Sequence, residues 1–247
     1  MNAQTLAGRV AMVTGGGRRI GRVIALTFAR AGADVAVNYY ASRREALNTV
    51  KEIQALGRRA EVFRADVSKA AQVRRMFREF ERAFDSLDVL VNNAGVFFPV
   101  RWDRITEKDW DRVLGINVKG AFFCAQAAAR LMLARRGGHI INISSLGGLQ
   151  AWPSYAHYCA SKAANIMLTR CLAKALAPRI RVNSVAPGTI LFPDEKRTPA
   201  HGRSIRGTPL RQPGRPEDIA EMALYLATRG DYITGQVFVV DGGQSIP

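Results

Sequence analysis

Apolar positions along the chain follow two rhythms. Short runs are apolar at nearly every position: Val10 to Val13, Val35 to Val37, Ala60 to Phe63, Val89 to Val91, His139 to Ile143, Val182 to Val185 and Val237 to Val240. Between them lie longer amphipathic stretches such as Ile20 to Ala31, Arg43 to Leu56 and Ala70 to Phe84. A strand with no polar face must be covered on both faces, so the pattern predicts a seven-stranded, mostly parallel sheet with helices on each side. Right-handed crossovers then give a doubly wound α/β fold. With 247 residues and 48% apolar content, one domain over residues 1–247 is expected. The stretch 189–214 breaks the rhythm with Pro193, Pro199, Pro209, Pro213, Gly202, Gly207 and Gly214. It follows the sixth strand and reads as a substrate lid over the carboxyl edge of the sheet, or else as an ordinary surface loop.

Composition narrows the classes. Met1 to Gly8 lacks a basic-then-apolar leader and the longest apolar runs are strand-sized, which predicts a soluble cytoplasmic protein without a membrane partner. Cys124, Cys159 and Cys171 show no metal-ligand spacing and are odd in number, so buried free thiols are expected. His139, His157 and His201 are scattered among different elements, and no metal site is expected. The net charge of +16 raises nucleic acid as a partner, but the arginines spread over amphipathic helices, as at Arg74, Arg75, Arg78 and Arg82. Without an aromatic-interleaved patch or a DNA-binding motif, the charge points to negatively charged cofactors and substrates rather than to specific nucleic-acid binding.

Candidate chemistry begins after the first strand. Gly15, Gly16, Gly17 and Gly21 lie between that strand and the first helix, where small residues let backbone amides approach a pyrophosphate. A strict G-x-G-x-x-G would need glycine where Ile20 stands. For a ribose-binding acid the expected place is the end of the second strand, which reads Val37-Asn38-Tyr39-Tyr40-Ala41-Ser42-Arg43 and has no carboxylate. Arg18, Ser42 and Arg43 could instead hold a 2′-phosphate, selecting NADPH, since guanidinium forks suit phosphate oxygens. The alternative is that Arg43 and Arg44 are solvated residues opening a helix. Further on, Tyr158 and Lys162 are four residues apart on one helix face, with Ser145 thirteen residues ahead of Tyr158. Bringing a phenol down from ~10 by about three units takes roughly 4 kcal/mol, which a lysine and a cationic nicotinamide could supply.

Thr14-Gly15-Gly16-Gly17-Arg18-Arg19-Ile20-Gly21, Asn92-Asn93-Ala94-Gly95, Asn117, Ser145, Tyr158 and Lys162, in this order and spacing, resemble the short-chain dehydrogenase/reductase family across nearly the whole chain. The resemblance implies a Rossmann fold and hydride transfer from a nicotinamide. It implies Tyr158 as general acid, Ser145 holding the acceptor, Lys162 lowering the tyrosine pKa and holding the ribose, and Asn117 supporting a water route. It extends the cofactor site from Gly15, Arg18, Arg19 and Ile20 to Tyr39, Ser42, Arg43, Asp66 facing the adenine, Val67, Asn93, Ala94, Gly95, Pro187, Gly188 and Ile190. It also implies a homotetramer. One departure is Arg19 in place of the family's middle glycine; another is the displaced threonine after Pro187-Gly188. Arg19, Phe97 and Ile190-Leu191-Phe192 further resemble pteridine reductases and dihydrofolate/dihydromonapterin reductases. There Phe97 would stack on a pterin beside Ser145 and Tyr158, with Arg19 near its polar edge or the diphosphate. Those proteins usually have an aspartate where Ser145 stands. The rival is a 3-oxoacyl-carrier-protein reductase or general ketone reductase, for which Ser145 is normal; a non-catalytic dinucleotide sensor stays open as a different class.

Overall fold

The computed structural model describes residues 5–192, 194–195 and 198–246. Seven strands form one sheet: β1 (Val10–Val13), β2 (Asp34–Tyr39), β3 (Ala60–Arg64), β4 (Val89–Asn92), β5 (Gly138–Ile143), β6 (Ile180–Pro187) and β7 (Val237–Val240). Their order is β3-β2-β1-β4-β5-β6-β7. Every neighbouring pair is parallel, so the sheet is parallel throughout rather than mostly so. The helices are α1 (Arg19–Arg30), α2 (Arg43–Ala55), α3 (Ala70–Ala83), α4 (Glu107–Leu114), α5 (Ala121–Leu133), α6 (Ala156–Leu176), α7 (Pro199–Arg206) and α8 (Pro216–Arg229).

Strand periodicity explains the two-sided core. Ala11 and Val13 of β1 belong to one buried layer and Val10 and Met12 to the other. Val35 and Val37 against Ala36, and Ile141 and Ile143 against Ile140, divide in the same way. One layer packs Ile24 and Phe28 of α1 with Ile219 and Leu226 of α8; the other packs Met76 and Phe80 of α3 with Cys124 and Met132 of α5. The chain leaves β1 toward β2 and β3, then returns to β4 on the other side of β1. That reversal opens a crevice at the carboxyl ends of β1 and β4, where open parallel sheets bind ligands.

Two readings of the sequence need correction. The stretch 189–214 contains α7, a helix whose first residue is Pro199. A proline there is compatible with helix start, because its missing N–H has no intrahelical acceptor at that position. Pro193 lies outside the described residues. The thiols are free but not uniformly buried: Cys124 is buried, Cys159 half-buried and Cys171 exposed. Asn117 sits in a π-helical segment, Gly115–Gly120, inserted between α4 and α5. No described helix is long and apolar enough to cross a membrane.

Candidate active site

The crevice is built first around the turn from β1 to α1. Gly15 has φ +62, in the region that favours glycine, and a Cβ on Gly21 would come within 2.4 Å of both the Gly15 carbonyl and Asn93 Nδ2. A Cβ on Gly17 would come within 2.9 Å of the α2 backbone at Ala46. Arg18, at the N-cap of α1, makes no side-chain cap, so the first amides of α1 are left for another acceptor. Two polar residues hold the turn. Asn38 Oδ1 accepts from the Gly15 N–H at 3.2 Å while its Nδ2 donates to the carbonyls of Phe63 and Ala65. Thr14 Oγ1 accepts from the N–H groups of Asn93 and Ala94 at 3.0 Å each, and Asn93 Nδ2 donates to the Thr14 carbonyl at 2.9 Å. This close-fitting, donor-rich turn at a helix N-terminus fits a dinucleotide's pyrophosphate.

Arg19 is the outlier of the turn. Its φ of 51 puts a branched-at-the-end side chain in left-handed backbone, where a Cβ costs roughly 1–2 kcal/mol. The guanidinium lies 4.7 Å from the centroid of the Phe192 ring and 3.5 Å from Glu195 Oε2. It therefore bridges the turn to the segment after β6 that carries Phe192 and Glu195. The segment is anchored on its other side, where Thr189 Oγ1 lies 2.6 Å from Ser204 Oγ of α7 and Gln244 Nε2 donates to the same Ser204 oxygen at 3.0 Å.

Across the crevice, β5 ends at Ile143 and is followed by Ser145, whose Oγ accepts from the Gly147 N–H at 3.1 Å. Tyr158 and Lys162 lie on α6, both buried, at 9% and 5% exposure. Lys162 Nζ donates to the Ile143 carbonyl at 2.8 Å and lies 5.7 Å from the centroid of the Tyr158 ring. Asn117 is buried beside them: its Oδ1 accepts from the Val96 N–H at 2.9 Å, and its Nδ2 donates to Ser161 Oγ at 3.0 Å. The Asn117 carbonyl accepts from Asn165 Nδ2 at 3.2 Å. Gly95 permits this gathering, since a Cβ there would come within 3.3 Å of Asn117 Oδ1 and 3.7 Å of Lys162 Nζ. The π-helical segment carrying Asn117 is a geometry that recurs at functional sites.

Burial dominates the electrostatics. The Tyr158 phenol is pushed up to about 12 by burial, with the nearby Ser145 hydroxyl opposing the shift. Lys162 is pushed down to about 8 by burial. Among the protein's own groups burial raises the phenol and lowers the ammonium, whose Nζ engages the Ile143 carbonyl; the expected lowering of the phenol counted on a bound cationic nicotinamide as well. At neutral pH the arrangement presents a neutral phenol, which donates protons, next to a hydroxyl and a cation.

A family model described as enoyl-(acyl carrier protein) reductase matches residues 15–245. The chain belongs to the short-chain dehydrogenase/reductase family. It is an oxidoreductase of that family, similar to a 3-oxoacyl-(acyl-carrier-protein) reductase of Staphylococcus aureus, at 43% identity over 94% of this chain and 96% of the relative. Among solved structures, a blue fluorescent protein from a metagenomic library in complex with NADPH aligns at 38% identity with a TM-score of 0.91, covering 98% of this chain and 99% of that one. A short-chain dehydrogenase from Burkholderia cenocepacia in complex with NADP aligns at 36% identity with a TM-score of 0.92, covering 97% and 99%.

The other residues expected from the sequence are brought together unevenly. Arg18 and Arg43 are exposed at the N-terminal ends of α1 and α2, and among the described residues no ion pair involves either. Ser42 is the N-cap of α2, half-buried. Asp66 Oδ1 accepts from Ser68 Oγ at 2.7 Å and from the Ser68 N–H at 2.9 Å, which commits that oxygen to the turn before α3. Val67 is buried against Gly120, where a Cβ would come within 2.8 Å. Pro187 closes β6, the Gly188 N–H donates to Val240, and Ile190 pairs with Gly214 in an isolated bridge. Tyr39, at the end of β2, is buried in the core layer that includes Val37 and Ala46. Sequence reasoning did not single out Asn38 as the clamp on Gly15, nor Trp152 and Tyr155, which surround Tyr158. The short polar residue inside an apolar strand was the one signal that could have found Asn38.

Proposed function

We propose that this oxidoreductase reduces a carbonyl compound with NADPH, Tyr158 giving a proton to the carbonyl oxygen. The observation that carries the reading is the gathering of Ser145, Tyr158, Lys162 and Asn117 at the crevice beside the glycine turn. When bound, the nicotinamide supplies the hydride to the carbonyl carbon. Ser145 Oγ accepts from Gly147, leaving its own O–H to donate to the carbonyl oxygen and hold it. Tyr158, neutral because of its burial, donates its proton to the developing alkoxide, which is a far stronger base than a phenolate. Lys162 keeps two N–H groups beyond the one given to Ile143, enough to hold ribose hydroxyls. Asn117 fixes Val96 and the start of α6 around these groups and supports proton resupply to the phenol.

For the cofactor, the support is the missing carboxylate after β2, the exposed Arg18 and Arg43, and the NADPH- and NADP-bound relatives. For the substrate, relatives named 3-oxoacyl-(acyl-carrier-protein) reductases, at 43% identity in the S. aureus case and 40% in one from Synechocystis, put the carbonyl reading ahead of pterin reduction. Ser145 agrees, because a carbonyl oxygen needs a hydrogen-bond donor while a ring nitrogen needs an acid. The homotetramer common in the family belongs to the same proposal, and light scattering tests it.

The deciding experiment is NADPH consumption with acetoacetyl thioesters, simple ketones, dihydrobiopterin and dihydrofolate. Turnover of carbonyl compounds well above the pterins supports the proposal. Turnover of pterins alone reverses it, and NADPH binding without turnover of any compound leaves a dinucleotide-binding protein.

A further inference from the structure

Tyr158 does not stand among aliphatic side chains. The Trp152 ring lies parallel to its ring, at an interplanar angle of 10° and 6.3 Å between centroids. Phe97 meets the Tyr158 ring edge-on at 4.7 Å. Phe97 in turn stacks on Tyr155, at 4.5 Å and 5°. These are the offset-parallel and edge-to-face arrangements that aromatic quadrupoles favour. The cluster is also fixed from outside. Tyr155 ends the short 3-10 turn Pro153–Tyr155 after Trp152, and the Val100 N–H donates to the Ser154 carbonyl at 2.9 Å, tying the loop that carries Phe97 to that turn. Trp152 is seated on Gly147, where a Cβ would come within 2.8 Å of its ring. Yet Phe97 remains 56% exposed, a large apolar ring left open to solvent beside a buried hydroxyl pair. Rings that served only to hold Tyr158 would gain from being covered; Phe97 is contacted by Tyr155 and Tyr158 and left open.

We infer that Phe97, Trp152 and Tyr155 form a recognition wall for a flat conjugated ring, so that the preferred substrate is an aryl ketone, its carbonyl attached directly to the ring. The inference rests on the carbonyl-reductase reading and names its substrate class. An aryl ketone lays its ring on Phe97 while its carbonyl oxygen meets Ser145 and Tyr158. Hydride adds to the carbonyl carbon, the C=O π pair moves to oxygen, and the Tyr158 proton completes a secondary alcohol, NADPH being the two-electron reductant. A saturated acyl chain offers Phe97 no ring and must give up rotamer freedom to lie along it.

The test compares kcat/KM for an aryl ketone, an acetoacetyl thioester and a dihydropterin in the parent protein and in Phe97→Ala, with NADPH affinity as the control for folding. The expected result is a preference for the aryl ketone. Phe97→Ala should lower kcat/KM about tenfold for it and change the thioester less than about twofold. Binding of a non-reducible benzamide to the NADPH complex, read by Trp152 quenching and lost in Trp152→Phe, should weaken in the alanine variant to a similar degree. An equal loss for both carbonyl substrates would show the rings to be supports of Tyr158 and overturn the inference. Carbonyl turnover with no ring preference would overturn it while leaving the carbonyl-reductase reading intact. Turnover of the dihydropterin above both carbonyl compounds would overturn the two together.

Discussion

Lys162→Met should make the protein more stable at neutral pH while abolishing its activity. Lys162 is buried, and burial alone holds its ammonium at about 8 against an ordinary lysine value of 10.5. That gap costs the folded state about 3 kcal/mol at pH 7, at ~1.36 kcal/mol per pKa unit. The sign follows from proton counts: between about pH 8 and 10.5 the unfolded chain holds a proton the folded chain has lost, so stability rises with pH through this window. Methionine fills similar volume without the charge, and loses the hydrogen bond to Ile143, worth about 1 kcal/mol. The net gain at pH 7 is therefore about 2 kcal/mol. By about pH 9.5 the burial cost has fallen to about 1 kcal/mol and the gain is close to nothing. Urea unfolding of both proteins at pH 7 and pH 9.5, at one protein concentration and with unchanged m-values, measures this directly. A methionine variant less stable than the parent at pH 7, or a gain that does not shrink with pH, would refute the reasoning.

Further predictions concern the glycine turn and its surroundings. Arg19→Gly should raise stability by about 1 kcal/mol in denaturant unfolding by removing the left-handed strain, since the exposed pair with Glu195 adds little. The same change should speed proteolytic cleavage near Phe192, because the contact from the turn to that ring is gone. Asn38→Leu leaves the Gly15 N–H and two carbonyls without their partner, so it should cost about 2–3 kcal/mol by the same assay and weaken dinucleotide binding. Arg43→Ala should weaken NADPH binding in a fluorescence titration while leaving NADH nearly unchanged; equal loss for both would make Arg43 a surface charge.

The strands were legible because a buried parallel strand is apolar at successive positions, and Val10 to Val13 could scarcely be anything else. The joint spacing of Ser145, Tyr158 and Lys162 was legible because two of them share a helix face and the third ends the preceding strand region. Helix α7 was hidden by proline and glycine, which punctuate loops and also start helices. The π-helical segment at Asn117 leaves no periodic trace in Gly115–Gly120. Spacing shows that Lys162 is near Tyr158, while only the packing shows that both side chains are buried and that the ammonium donates to Ile143. The ring wall joins Phe97 to residues more than fifty positions on, a proximity set by the fold alone.

The most direct test of the account is turnover by Tyr158→Phe. This variant keeps the ring against Trp152 and Phe97 and removes only the hydroxyl. NADPH affinity should stay close to that of the parent, while carbonyl reduction falls by at least about a hundredfold, the low end for a general acid. A folded variant that binds NADPH and reduces the carbonyl at near the parent rate would contradict the assignment of Tyr158 as the proton donor.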